Sequence, residues 1–232
     1  MIDEYGHRPQ HLLELWPAYV RRIHLGRFLA HYELFKQIID LPGCVVECGV
    51  FRGSSFFTWS KLMETFVPND RSRKIFGFDS FAGLTDFNSK DGKMDARHGK
   101  TVGGWSASAV RNEVVKLVEI TNKDNLIPGI ERCRLIEGNI KETIPKFVED
   151  NPGLRVSLLY LDMDLYEPTQ IALDYLYDRV VPGGIVVFDE YGLMPWEGES
   201  KAVEEFMTRK HLKYKIKKFP FSTLPHGYIV KE

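Results

Sequence analysis

The stretch LLYLDMDLYEPTQIALDYLYDRVVPGGIVVFDEYG, residues 158–192, decides the fold. An apolar run, Leu158-Leu159-Tyr160-Leu161, stops at Asp162-Met163-Asp164, and a second, Ile185-Val186-Val187-Phe188, stops at Asp189-Glu190. Between them Ile171, Leu173, Leu176 and Val180 share one side of a helix expected over residues 169–180, which Pro182-Gly183-Gly184 would end. Strand, helix and strand within about thirty residues make a βαβ unit with parallel strands. Unbroken apolar runs, rather than alternation, require both faces of the sheet to be covered. Ligands of such sheets bind beyond the carboxyl ends of the strands, which is where both acidic clusters lie. Neighbouring strands run about 4.8 Å apart, so the four carboxylates converge on one small volume. Like charges that close need a shared proton or cation, and carboxylate oxygens favour Mg²⁺, Mn²⁺ or Ca²⁺ over zinc. The expectation is a metal site beside a ligand crevice. Glu167, next to Pro168 and Thr169, reads instead as a loop or cap residue.

Upstream, Val45-Val46 begin a strand and residues 56–66 a helix, joined through Glu47-Cys48-Gly49-Val50-Phe51-Arg52-Gly53-Ser54. Glycine admits a ligand to the backbone, and a helix N-terminus offers free N–H groups. The spacing is not that of the dinucleotide fingerprint. The next strand, Ile75-Phe76-Gly77-Phe78, ends at Asp79, where an acid accepts both hydroxyls of a ribose. These two features imply a nucleoside-containing ligand bound without pyrophosphate recognition. A third strand, residues 133–137, ends at Gly138-Asn139, and Asn139 stands there either to meet a base edge or to cap the loop.

The remaining segments frame this core. Residues 11–40 have helical spacing, with Leu12, Leu13, Leu15, Trp16 and Val20 as one apolar set and Phe28, Leu29, Tyr32, Phe35, Ile38 and Ile39 as another. Residues 1–40 therefore form an N-terminal helical segment that packs on the domain, covers the site or pairs two copies. Residues 41–232 form a single domain. Within it, residues 82–105 are polar and glycine-bearing, the profile of an active-site loop hinged or anchored at Gly103-Gly104-Trp105. His98 is a candidate base in that loop, with a solvated loop histidine as the alternative. Trp105 reads as a packing residue rather than a stacking platform. A helix follows from Ser108, another spans residues 199–210, and residues 214–219 and 228–230 look like an antiparallel edge hairpin.

The expected fold is α/β: a doubly wound, mostly parallel, seven-stranded sheet with helices on both faces and a C-terminal antiparallel hairpin. A length of 232 residues and a net charge of −1, with no long basic run, speak against a nucleic-acid partner. Cys44, Cys48 and Cys133 lack zinc-like spacing, and an odd count fits a reducing compartment. The polar N-terminus and the lack of a long apolar stretch argue against a secretory signal and a membrane span. A cytoplasmic location is the expectation.

This order of elements resembles that of class I S-adenosylmethionine-dependent methyltransferases, and more narrowly the macrocin O-methyltransferase family. The carriers are Val46 to Gly53, Phe78-Asp79-Ser80-Phe81, Gly138-Asn139 with Glu142-Thr143-Ile144-Pro145, Leu161 to Tyr166, and Pro182-Gly183-Gly184 through Asp189-Glu190-Tyr191-Gly192. The resemblance implies an S-adenosylmethionine- and Mg²⁺-dependent enzyme acting on sugar hydroxyls of small molecules. It further implies that Glu47, Gly49, Arg52, Gly53 and Ser54 hold the methionine part of the cofactor. Asp79, Ser80 and Phe81 would take the ribose and flank the adenine, and Asn139 would sit near the adenine edge. Asp162, Asp189 and Glu190 would ligate the metal, Asp162 beside the cofactor as well, with Asp164 as general base. Relatives commonly carry an aspartate where Glu190 stands.

Two other readings exist for the same residues. An apolar strand ending in D-x-D is the mark of a Mg²⁺-dependent phosphatase with Asp162 as nucleophile and Asp164 as acid/base. Tyr166 departs from that pattern, and the motif there normally opens the fold. A non-catalytic nucleoside-binding module would leave the acidic cluster without a function.

Overall fold

The computed structural model describes residues 9–232, so residues 1–8 of the expected N-terminal segment lie outside it. Helices α1 (Pro9–Glu14), α2 (Trp16–Tyr19) and α3 (Arg22–Lys36) lead into strand β1 (Cys44–Cys48) and helix α4 (Ser54–Phe66). Next come β2 (Ile75–Asp79), α5 (Arg111–Lys123), β3 (Cys133–Glu137), α6 (Ile140–Asp150) and β4 (Val156–Leu161). The chain finishes with α7 (Tyr166–Leu176), β5 (Val180–Phe188), α8 (Glu197–Arg209) and β6 (Gly227–Val230).

The sheet has six strands in the order β3-β2-β1-β4-β5-β6. All neighbours are parallel except β5 and β6. Order reverses between β1 and β4, and a crevice opens at such a switch point. Both faces are covered. Val46, Phe78, Leu159, Leu161, Val186 and Phe188 face one apolar layer, while Val45, Leu158, Tyr160, Ile185 and Val187 face the other. The continuous apolar runs of β4 and β5 are the sequence trace of this double burial.

Several boundaries differ from the sequence expectation. Among the described residues there are six strands rather than seven, because the segment at 214–219 contributes only an isolated bridge between Lys217 and Tyr228. The central helix begins at Tyr166, ahead of Pro168, and ends at Leu176 rather than Val180. Proline is tolerated in a first turn, whose N–H groups have no intrahelical partner. Pro182-Gly183-Gly184 lies inside β5, opposite a register shift between Val156 and Leu158, so it bends a strand instead of ending a helix. Likewise α6 starts at Ile140, capped by Asn139, with Pro145 inside it.

The N-terminal apolar sets also divide. Leu34, Phe35 and Ile38 are buried, whereas Leu13, Leu15, Trp16, Phe28 and Leu29 stay exposed. The loop at 82–105 is held firmly. Two 3₁₀ turns, Ser89–Asp91 and Ala96–His98, shape it. Lys100 is fully buried, donating to the carbonyls of Asp91 and Pro195 and, at 2.8 Å, to Glu197 at the start of α8. Asp91 accepts from the backbone N–H of Tyr166 at 2.6 Å, and so caps α7 from across the crevice.

Candidate active site

The site is built from strand ends. Pairing of Leu161 with Phe188 sets Asp162 and Asp189 side by side, and the N–H of Asp189 donates to the carbonyl of Leu161. On the other flank the N–H of Asp162 donates to the carbonyl of Cys48. Gly49 follows with φ +95°, and a Cβ there would fall 1.8 Å from the carbonyl oxygen of Asp162. Only glycine fits so close an approach.

Asp164 has φ 63°, a left-handed backbone that a side chain seldom adopts. Such strain, about 1–3 kcal/mol, persists where surroundings impose it and clusters at functional sites. The turn brings one carboxylate oxygen each of Asp162, Asp164 and Glu190 within 4.8 Å of one another. Asp162 and Glu190 of the set implied by the resemblance belong to this trio, and Asp189 lines the same cavity beside Asp162. Asp189 is fully buried, and its Oδ2 has no hydrogen-bond donor. The carboxylate accepts from the hydroxyl of Tyr160 and lies 3.1 Å from the guanidinium of Arg27.

Burial pushes the carboxyls of Asp162 and Glu190 well above their ordinary range, and neighbouring negative charges add to it. Asp164 is pushed up to about 7, by burial first and then by the charge of Asp189. Glu199 of α8 joins the cluster from behind. Its carboxylate accepts from the backbone N–H of Glu190 at 2.9 Å, and burial likewise raises it. One oxygen each of Asp189, Glu190 and Glu199 is buried with no hydrogen-bond donor. Orphaned buried carboxylate oxygens are costly. A hard divalent cation suits a donor set made of carboxylate oxygens, so the residues present fit the Mg²⁺ the resemblance implies.

Arg27 supplies the positive charge that the sequence reading missed. From α3 it reaches Asp162 at 2.6 Å, Asp189 at 3.1 Å and the hydroxyl of Tyr160 at 3.3 Å. Burial works against its charge, but Asp189, Tyr160 and Asp162 outweigh that effect and hold it protonated. Behind Tyr160, His31 sits 3.2 Å away, buried and held neutral by burial and by Arg27. A tyrosine within an otherwise aliphatic buried strand was the one local sign of this network.

Above the acids lies a cavity of about 520 Å³, within the usual range for small-molecule sites. Gly49, Arg52, Ser54, Asp79, Ser80 and Asn139 line it, together with Asp162, Asp164, Asp189 and Glu190. Four other expected site residues do not line it. Glu47 is buried below, accepting from Ser55 Oγ and Trp59 Nε1 at 2.7 Å each. Gly53 precedes α4, and a Cβ there would meet the Phe57 ring at 2.4 Å. Phe81 is buried in the core. His98 is exposed, with its ring nitrogen 3.0 Å from Asp95, and stands outside the cavity.

Asp79 accepts from the backbone N–H groups of Phe51 and Phe81 at 2.6 Å each. Burial still raises its carboxyl, with these amides opposing. Asn139 caps α6 by accepting from the N–H of Lys141 at 2.9 Å, and its amide reaches Asp86 at 3.3 Å.

Glu47 yields a stability prediction. Burial pushes it up to about 8, against the pull of Ser55 and Trp59. The folded state thus binds the Glu47 proton more tightly than the unfolded chain, and this group makes stability fall as pH rises between about 5 and 8. Glu47→Gln keeps an acceptor for Trp59, and the Ser55 hydroxyl can turn to accept from the amide. Chemical denaturation across that range is expected to show a shallower decline for the variant. Parallel pH curves would remove Glu47 as the source.

A parallel sheet with acids at the ends of β2, β4 and β5 around its switch point has the fold of the Rossmann-like methyltransferases. The chain belongs to the macrocin-O-methyltransferase (TylF) family, whose model matches residues 27–223. It is similar to demethyldecarbamoylnovobiocin O-methyltransferase of Streptomyces niveus, 30% identical over 186 residues that cover 78% of this chain and 66% of the relative. It is also similar to 8-demethyl-8-(2,3-dimethoxy-alpha-L-rhamnosyl)-tetracenomycin-C 4'-O-methyltransferase of Streptomyces olivaceus, at 30% identity over 66% of this chain and 54% of the relative. The chain therefore spans between about half and two-thirds of the length of these curated relatives. Among solved structures, calicheamicin methyltransferase CalS11 superposes with a TM-score of 0.89 at 26% identity, covering 99% of this chain and 88% of that one. Its apo form is described as a TDP-rhamnose 3'-O-methyltransferase.

Proposed function

We propose that this protein moves a methyl group from S-adenosylmethionine to a hydroxyl of a sugar, carried on a nucleotide or on a glycosylated natural product. The observation that carries the reading is the convergence of Asp162, Asp164 and Glu190 on the floor of the cavity that Gly49 and Asp79 also line. Relatives named for methylating sugar-bearing antibiotics, and a structural neighbour named for a nucleotide-linked sugar, support the acceptor class. Membership of the family also favours methyl transfer over the phosphatase reading of Asp162.

Each residue then has a task. Gly49 and Ser54 admit the methionine part, while Asp79 takes the ribose hydroxyls. Asp162, Asp189 and Glu190 would hold Mg²⁺, which stabilises a developing alkoxide when bound. Asp164, at the same focus, accepts the proton of the acceptor hydroxyl. Arg27 and Tyr160 fix Asp189 and keep the acidic floor in one arrangement. Because Arg27 and His24 of α3 line the cavity, that helix acts as part of the site. Much of the rate effect comes from holding the hydroxyl in line with the sulfonium methyl.

Calorimetry with S-adenosylhomocysteine tests the cofactor half. Binding is expected, and Asp79→Ala should weaken it by about 1–3 kcal/mol, the cost of unpaired ribose hydroxyls. No binding to the wild-type protein would return the phosphatase reading to first place. Unchanged affinity in the variant would remove Asp79 from the site.

A further inference from the structure

Adenine is the one flat heteroaromatic group in the proposed cofactor, and the expected flanking residue Phe81 is buried away from the cavity. The aromatic side chains that do line it are Phe51, Phe78, Trp105 and Trp196. Phe78 and Trp196 are buried, and Trp196 packs with Leu84 and Leu165 at the end beside Asp164. Trp105 differs from all of these. It is 53% exposed, although it is a large apolar ring in a well-held loop.

Contacts place Trp105 at the Asp79 end. Gly104 accepts from the N–H of Leu84, and both Ala107 N–H and Ser106 Oγ donate to the carbonyl of Phe81. The indole meets the ring of Phe51 edge to face, with centroids 5.9 Å apart. Phe51 in turn donates its N–H to Asp79. One side chain therefore separates the indole from the ribose-binding acid. Gly99 gives the ring its seat, since a Cβ there would fall 2.9 Å from the indole nitrogen. The backbone of Trp105 is left-handed, at φ 55°, a conformation uncommon for a bulky residue.

Resting on the methyl-transfer reading above, we propose that Trp105 is the stacking surface for the adenine of the cofactor. An exposed indole beside a ribose site offers a broad π face, and base–aromatic stacking needs no further hydrogen-bond partner.

The test is calorimetry of the full chain with two ligands, S-adenosylhomocysteine and 5'-methylthioadenosine, which keeps the adenosine and lacks the amino-acid part. Trp105→Ala is expected to weaken both on the order of ten- to a hundredfold, and Trp105→Phe to restore most of the loss. In the wild type, either ligand should quench tryptophan emission, and in Trp105→Phe that quench should largely vanish. This second readout stands even if the alanine variant folds poorly. The proposal fails if both affinities survive Trp105→Ala, if only S-adenosylhomocysteine binding is lost, or if the quench is the same size in Trp105→Phe. Absence of binding to the wild-type protein would instead remove the methyl-transfer reading on which the proposal rests.

Discussion

Asp164→Asn is expected to lower kcat by roughly 10²–10⁴-fold, the usual worth of a positioned general base. Asp162 and Asp164 line one crevice. The left-handed turn at Asp164 then separates their tasks, since Asp162 is tied to Arg27 while Asp164 is left facing the cavity. Asparagine keeps the shape, accommodates the left-handed backbone, and removes the group that takes the proton. Affinity for S-adenosylhomocysteine should barely change. Raising pH should recover part of the rate, as hydroxide replaces the missing base. If Asp164 served only to shape the turn, the variant would lose stability and keep its kcat. A stable, fully active Asp164→Asn enzyme would sink the base assignment, and His98 would not inherit it, because it stands outside the cavity.

Exhaustive chelation is expected to abolish turnover, with Mg²⁺ restoring it. Asp162, Asp164, Asp189, Glu190 and Glu199 form one acidic cluster, and among the described residues Arg27 is the cation paired with it. One cation does not neutralise five carboxylates, and the donorless oxygens of Asp189, Glu190 and Glu199 show where compensation is short. A divalent ion contributes several kcal/mol of charge stabilisation at a developing alkoxide, so its loss should cost on the order of 10³-fold in rate or more. The fold and S-adenosylhomocysteine binding should persist, because Asp79 ends β2, which β1 separates from the strand ends that carry the acidic floor. Full activity after chelation would leave the acidic floor without the role proposed.

The features legible in the sequence were those written locally. Unbroken apolar runs at 158–161 and 185–188 required a doubly covered parallel sheet, and the acids ending them pointed to the crevice. Asp79 was legible for the same reason. Boundaries were harder where proline and glycine punctuate ambiguously: Pro168 sits in a first turn and Pro182-Gly183-Gly184 in a bent strand. What the sequence hid was pairing over long separations. Arg27 meets Tyr160 and Asp162 across 133 and 135 positions, and no local pattern marks an arginine that folds onto an acidic strand end. Arg27 and Tyr160 also reach Asp189, so the acidic floor is tied to α3 by contacts that no local pattern announces. Lys100 and Asp91 were similarly concealed, and a segment that reads as a polar loop is pinned by the burial of its charges.

The most direct measurement is mass spectrometry of reactions containing S-adenosylmethionine labelled in its methyl group, Mg²⁺, and a panel of nucleotide-linked sugars and glycosides. The account predicts label on a sugar hydroxyl of at least one acceptor, stoichiometric with S-adenosylhomocysteine released, and less by roughly a hundredfold or more in Asp164→Asn at matched times. Label transferred to nitrogen or carbon, or equal transfer by the Asp164→Asn variant, would contradict it.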